Sequence, residues 1–194
     1  MLGGIWYGRG MLERPTPSYE VGSSADGRRA QQKLFETSGK MGSPRRDQKR
    51  VTLSEREINA FLAGHFSDEL PLADGAVHLV GNGIIELSGR LPLRGILGDS
   101  ASGVARSFPD GWSRQPVWLR LRGPLRLETD AGRPDFRRLR LDVESLWVGT
   151  RWVPVVVLAA LPDGAIRRAT RWAVPGTIDS VLVEPGRLTV TSRP

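Results

Sequence analysis

The sequence predicts an α+β fold in which a long, curved antiparallel β-sheet wraps around a helix and is capped by an N-terminal helix. From residue 76 onward, several long stretches alternate apolar and polar residues with a period of two, which is typical of strands with one buried face. Residues 51–62 read as a short strand that runs directly into a capped helix. Residues 155–172 place apolar side chains at helical spacing, so a helix is available to cover the apolar face of the sheet.

Length and composition bound the organisation of the chain. A length of 194 residues with 39% apolar residues suits one globular domain plus an appendage. There is no cysteine, which excludes disulfides, thiol catalysis and thiolate metal sites. The longest apolar run, residues 153–161, contains Pro154 and is far shorter than the roughly 18 residues that span a bilayer.

The net charge of +7 is concentrated near the N-terminus. Residues 1–50 carry ten Lys and Arg against five Asp and Glu, a net of +5, whereas residues 51–194 carry eighteen against sixteen, a net of +2. We therefore assign residues 1–49 to a flexible basic leader and residues 50–194 to a single α+β domain. The positive run in the leader is interpreted either as a solvated connector or as a patch attracted to anionic lipid at a membrane surface.

The leader contains one predicted helix, over residues 26–37, with Ser23 or Ser24 as its cap. One side of this helix carries Ala30, Leu34 and Phe35. Upstream, Ile5-Trp6-Tyr7 has two interpretations that stay open. One is a disordered tail with a chance aromatic pair, and the other is the exit end of a membrane anchor that is missing from this sequence. The stretch lacks the regions of a signal peptide.

The predicted domain opens with a capped helix. Ser54 and Glu57 have the spacing of a capping box, in which the hydroxyl and the carboxylate each accept a hydrogen bond from a backbone N–H. Ile58, Phe61 and Leu62 then fall on one helical face. Glu55 and Glu57 lie in the first turn, where the helix dipole favours carboxylates, so we interpret them as structural.

Three hairpins follow in chain order. The first joins residues 76–80 to residues 84–93 through Gly81-Asn82-Gly83, a combination typical of a tight turn. The second and longest joins residues 116–127 to residues 139–147, with arginines alternating on its charged face. The third joins Val181 and Val183 to Val190 and Leu188 through Pro185-Gly186, which suits a type II turn.

The charged face of the long hairpin is predicted to carry a cross-strand ladder. We expect Asp142 and Glu144 to lie across from Arg120, Arg122 or a near neighbour. After this hairpin, residues 155–172 are predicted as a helical segment that Pro162 interrupts. Beyond Pro162 the residues at helical spacing are Ala165, Ile166, Ala169 and Trp172.

No catalytic, cofactor or metal site is recognisable in the sequence. His65 and His78 are the only histidines, and both are interpreted as exposed or partly buried side chains without a chemical role. Asp74, His78 and Glu86 are too weak a ligand set for a zinc site. The chain has no phosphate-binding loop, nucleophile elbow or dinucleotide fingerprint. We therefore expect a protein that is not an enzyme and that holds no cofactor.

The remaining candidate is an apolar site. The apolar face of the long hairpin and the helical segment opposite it either fill the interior with side chains or leave a groove, and both alternatives stay open. A groove lined by Leu and Val would suit an acyl chain, because each buried methylene contributes about 0.8 kcal/mol. The candidate lipid-binding residues are Leu119, Leu121, Leu139, Leu141, Val143, Val155, Leu158, Ile166 and Trp172.

Two segments carry a resemblance to a known group of proteins. Residues 51–62, Val-Thr-Leu-Ser-Glu-Arg-Glu-Ile-Asn-Ala-Phe-Leu, precede the hairpins, and residues 178–190 close the domain. Together they resemble bacterial cell-envelope proteins of the tubular lipid-binding (TULIP-like) type, many of which carry a single N-terminal membrane anchor. The resemblance covers roughly residues 50–192. It implies a curved sheet wrapped on a helix, a hydrophobic ligand and a membrane-associated location in the envelope.

Three hypotheses about function follow. The first is a non-enzymatic envelope protein that binds lipid or another apolar ligand at or near a membrane. The second is an interaction scaffold with a filled core, which docks a protein partner. The third and weakest is nucleic-acid binding, and carboxylates that neutralise the sheet arginines would count against it. The arginines concerned are Arg120, Arg122, Arg126, Arg137, Arg138 and Arg140.

Overall fold

A computed structural model describes residues 13, 19–37, 49–65, 72–92, 115–129, 136–156 and 165–193. The helices are α1 (Ser24–Thr37), α2 (Glu55–His65) and α3 (Ala165–Ala169). The first five strands are β1 (Arg50–Ser54), β2 (Ala73–Gly81), β3 (Ile84–Pro92), β4 (Pro116–Thr129) and β5 (Phe136–Leu141). The other five are β6 (Ser145–Val148), β7 (Arg151–Val153), β8 (Arg171–Pro175), β9 (Ile178–Glu184) and β10 (Arg187–Ser192).

The strands form two antiparallel sheets, which confirms the predicted antiparallel α+β class. The small sheet has the order β1-β10-β9. The large, seven-stranded sheet has the order β2-β3-β4-β5-β8, with β6 paired to β4 and β7 paired to β6. Both sheets are open and neither closes into a barrel.

Two predicted hairpin turns are confirmed by their backbone angles. At the β2–β3 turn, Asn82 has φ 53° and Gly83 has φ 78°, and a type I′ turn needs positive φ at both central positions. At the β9–β10 turn, Gly186 has φ 70°, as the third position of a type II turn requires. The register across this turn pairs Val183 with Leu188 and Val181 with Val190, as predicted.

These two turns also join the sheets. The Gly83 N–H donates to the Val183 carbonyl at 3.2 Å, and the Gly186 N–H donates to the Leu79 carbonyl at 3.0 Å. A Cβ on Gly81 would lie 2.7 Å from the Pro185 ring, so the two tips leave no room for a side chain there. The hairpin tips therefore hold the small sheet against the large one through backbone hydrogen bonds.

The long hairpin differs from the prediction in its second strand. β4 spans 14 residues, but its partner is divided into β5 and β6 by a β-bulge at residues 142–144. The Asp142 and Glu144 N–H groups still donate to the Pro124 and Arg122 carbonyls, at 3.0 and 2.8 Å. Opposite the bulge, a Cβ on Gly123 would clash with the Asp142 carbonyl oxygen, so glycine permits the close approach that the extra residue imposes.

The prediction of a helix up to Trp172 is wrong at its C-terminal end. α3 covers only Ala165–Ala169, and Trp172 belongs to β8, where it pairs with Leu139 of β5. Along β8, Trp172 and Val174 are half-buried while their neighbours are exposed, which is the period of a strand. Pairing with β5 therefore overrode the helical spacing of Ala169 and Trp172. Leu158 lies outside the described residues.

Residues 19–37, which we assigned to the flexible leader, pack against α2. Ser23 caps α1, and its hydroxyl donates to the Asp26 carboxylate at 2.6 Å. Ala30 is buried in the contact with no exposed surface, whereas Phe35, predicted on the same side, is 68% exposed. The predicted domain boundary near residue 49 stays a prediction, but the folded unit includes contacts from this part of the leader.

Candidate functional site

A partly open cavity of about 480 Å³ lies between α2, the large sheet and β10. Of the residues that the structure describes, fourteen line it, and twelve of these are apolar while two are arginines, Arg168 and Arg171. The apolar ones are Ile58, Leu62, Val77, Leu79, Ile85, Leu87, Leu125, Leu139, Trp172, Ala173, Val174 and Leu188. This size and composition are typical of pockets that enclose a small apolar molecule.

One wall of the cavity comes from the first hairpin and α2. The β2–β3 register places Val77 opposite Leu87 and Leu79 opposite Ile85, so these four side chains share one sheet face. Ile58 and Leu62 of α2 are one helical turn apart and therefore lie on one face of the helix. The apolar face predicted for α2 is thus part of the cavity wall.

The other part of the lining comes from β4, β5 and β8 of the large sheet. Leu139 of β5 stands between Leu127 of β4 and Trp172 of β8 in the strand register. Leu125 of β4 and the β8 residues Ala173 and Val174 complete this wall. β8 is an edge strand of the described sheet, and three consecutive residues of it, Trp172 to Val174, line the cavity.

The structure divides the predicted lipid-binding residues between two places. Leu139 and Trp172 line the cavity. Leu119, Leu121, Leu141 and Ile166 are between 0% and 9% exposed and lie in the packed core, with Val143 packed against it. Val155 is half-buried outside both sets. β2 and β3 contribute Val77, Leu79, Ile85 and Leu87 to the cavity, and none of these four was among the predicted residues. The alternation of residues 76–93 is the sequence signal that could have identified them.

Two buried polar residues of α2, Glu55 and Asn59, hold this helix in place beside the cavity. The Glu55 carboxylate accepts hydrogen bonds from the backbone N–H groups of Glu20 (2.7 Å) and Leu79 (2.8 Å). Asn59 accepts from the Val77 N–H at 2.7 Å and donates to the Val77 and Glu20 carbonyls at 2.9 Å each. Both side chains are buried, so they tie α2 to β2 and to the segment before α1.

Glu57 completes the capping box and holds α1. Its carboxylate accepts from the Ser54 N–H at 2.8 Å, and the Ser54 hydroxyl accepts from the Glu57 N–H at 3.3 Å, which confirms the predicted box. The Lys33 ammonium of α1 lies 2.8 Å from the same carboxylate. Burial raises the pKa of Glu57, but Lys33 and Ser54 outweigh it and leave that pKa below its ordinary value.

Each residue of the weak zinc-ligand set, Asp74, His78 and Glu86, lies near an oppositely charged or hydrogen-bonding side chain. His78 Nδ1 lies 3.0 Å from the Glu55 carboxylate, on the outer side of β2. Asp74 forms an ion pair with Arg90, and Glu86 lies 3.9 Å from Arg120. Among the described residues, no three His, Asp or Glu side chains come together as a metal site. The side chain of His65 lies outside the described part of the chain.

The outer face of the large sheet carries ion pairs and arginine–tryptophan stacks. Asp142 pairs with Arg126 and Arg140, each at 2.7 Å, and Arg140 also reaches Glu128 at 3.0 Å. The predicted charge ladder therefore forms. Asp142 pairs with Arg126 and Arg140 and not with Arg120 or Arg122, because the bulge places it beside Pro124 of β4. The Arg120 guanidinium lies 4.4 Å from the centre of the Trp147 ring.

No helix in the described ranges is long and apolar enough to cross a membrane. No protein-family model, curated protein or solved structure matches this chain.

Proposed function

We propose that this protein binds a lipid or another apolar ligand in the cavity beneath α2, and that it does so without catalysing a reaction. The single observation that carries the proposal is the cavity itself, about 480 Å³, in which twelve of the fourteen described lining residues are apolar. An alkyl chain gains about 0.8 kcal/mol for each methylene that leaves water for such a lining.

The proposal extends to the arrangement of the sheet. β2 and β8 stand at opposite ends of a five-strand path, yet residues of both line the same cavity. In a flat sheet these strands would be about 19 Å apart, at about 4.8 Å per strand spacing. We therefore propose that the sheet curls around the cavity and wraps around a helix, with an N-terminal helix as its cap, as in a TULIP-like protein.

A membrane-associated location in the cell envelope is part of the same proposal. Its support is the basic leader, residues 1–49, which carries nine Lys and Arg against five Asp and Glu. Such a segment is attracted to the anionic surface of a membrane, where an acyl ligand would be supplied. Vesicle sedimentation with and without anionic lipid tests this point, because binding should require the anionic lipid and weaken with salt.

The central test is extraction of the purified protein with organic solvent, followed by mass spectrometry. We expect a bound lipid in the wild type and its loss in Leu139→Trp, because the larger ring would occupy the cavity. The matched control is Leu182→Trp, since Leu182 is 56% exposed on β9 and does not line the cavity. A wild type that carries no lipid and ignores fluorescent fatty acids would overturn the proposal.

A second candidate function is docking of a protein partner on the outer face of the large sheet. The observation that favours it is Trp152, which is 57% exposed and pairs in register with Trp147 beside Arg120. Exposed Trp and Arg side chains are enriched at protein interfaces. Nucleic-acid binding on this face receives less support, since Asp142 and Glu128 already offset the charges of Arg126 and Arg140.

A further inference from the structure

We infer that the cavity takes a single-chain amphiphile with an anionic headgroup of the fatty-acid class, whose carboxylate is bound by Arg168 and Arg171. This inference rests on the proposed function, because it names the chemical class of the ligand for the same cavity. It is carried by the position of the two arginines, by their lack of carboxylate partners and by the cavity volume.

Among the described residues, Arg168 and Arg171 are the only charged ones that line the cavity. Arg168 lies on α3 and Arg171 is the first residue of β8, so the two side chains enter from adjoining elements. Both residues are exposed, whereas the other described residues of the lining are apolar. An amphiphile with its chain inside and its charged group at the mouth matches this division.

Neither arginine has a carboxylate partner in the part of the chain that the structure describes. Arg140, which pairs with Arg171 in the strand register, is engaged by Glu128 and Asp142. Some other surface arginines do have carboxylate partners, such as Arg187 with Glu184. Two cations that line one cavity, without a counter-charge among the described residues, favour an anion. Guanidinium groups bind carboxylates through paired, charge-assisted hydrogen bonds.

The volume of the cavity suits a ligand with one acyl chain better than a ligand with two. At about 30 Å³ for each water-sized group, the cavity of about 480 Å³ holds about 16 methylene-sized groups. This is room for one ordinary acyl chain. A lipid with two such chains would leave one of them outside, so we expect a fatty acid rather than a diacyl phospholipid.

The test compares laurate with dodecanol by calorimetric titration of the full-length protein. The two ligands share the same alkyl chain and differ in the charged headgroup. We expect the wild type to bind laurate about tenfold more tightly than dodecanol, as a charge-assisted contact predicts. In the double variant Arg168→Gln/Arg171→Gln, laurate affinity should fall about tenfold while dodecanol affinity is unchanged.

The control is the double variant Arg28→Gln/Arg29→Gln, which makes the same change in net charge on the exposed side of α1 and should keep the preference for laurate. Unchanged dodecanol binding also shows that the cavity variant is folded. Equal affinities of the wild type for the two ligands, or a preference that survives in the Arg168/Arg171 variant, would overturn this inference but leave apolar binding standing. A wild type that binds neither ligand overturns the proposed function, and this inference with it.

Discussion

The two halves of β4 have the same sequence pattern and different surroundings. In the first half, Val117, Leu119 and Leu121 are 3%, 1% and 0% exposed and belong to the packed core. In the second half, Leu125 and Leu127 are only half-buried, and Leu125 lines the cavity. An alternating pattern thus identifies which face of a strand is apolar, but it does not determine whether that face meets packed side chains or a hollow.

The neighbours of β4 account for the difference. The first half lies between β3 and β6, whose Leu146 and Val148 are themselves in the core. The second half pairs with β5, which continues to β8 and to the cavity mouth. The bulge at residues 142–144 separates β6 from β5, and Gly123 is the residue of β4 that accommodates it.

The largest expected effect contrasts truncations in the two halves. Leu121→Ala should destabilise the protein by about 2–5 kcal/mol, because it opens a void in a fully packed layer. Leu139→Ala should cost about 1 kcal/mol, since its side chain already borders a hollow. Urea denaturation followed by circular dichroism measures both. Equal losses would mean that the second half is as tightly packed as the first.

The next effect concerns the bulge between the halves. Gly123→Ala should destabilise by about 3 kcal/mol, because the added Cβ meets the Asp142 carbonyl oxygen, which is backbone and cannot rotate away. The matched control is Gly64→Ala in α2, where a Cβ has no neighbour within 4 Å. There the substitution should stabilise by about 0.5–1 kcal/mol through helix propensity. If Gly123→Ala left the free energy of unfolding unchanged, the close approach of Gly123 to the bulge would be contradicted.

The smallest effect is acid sensitivity of α2, whose Ile58 and Leu62 line the cavity. The pKa of Glu57 is lowered, since Lys33 and Ser54 outweigh its burial, so its contribution to stability is complete above the ordinary value of 4.5. That contribution is lost as the pH falls below 4.5 through the lowered pKa. Glu57→Gln and Lys33→Met should therefore both flatten the loss of stability in this range.

Hydrogen exchange at acid pH reports where that loss occurs. Amides of α2 should lose protection before those of Leu119 and Leu121, because α2 contributes Ile58 and Leu62 to the cavity and the core layer is held by β3 and β6. Simultaneous loss in both places would show that the two regions unfold as one unit.

Local interactions allowed much of this fold to be predicted. The capping box of Ser54 and Glu57 and the turns at Asn82-Gly83 and Pro185-Gly186 depend on residues within four positions of one another. The alternation of β2, β3 and β4 also predicted their apolar faces correctly. Of the candidate site, Leu139 and Trp172 were identified, although Trp172 was placed in a helix rather than in β8.

What the sequence by itself determined is therefore the list of elements, their caps and turns, and the face of each strand that avoids water. Only the tertiary structure decided that Trp172 joins β5 as a strand, that the long hairpin bulges at Asp142, and that one half of β4 borders a cavity. The physical reason is that a filled interior and a hollow one remove the same face from bulk water. Which of the two forms depends on how residues far apart in the chain, such as Ile58, Leu125 and Leu188, approach one another.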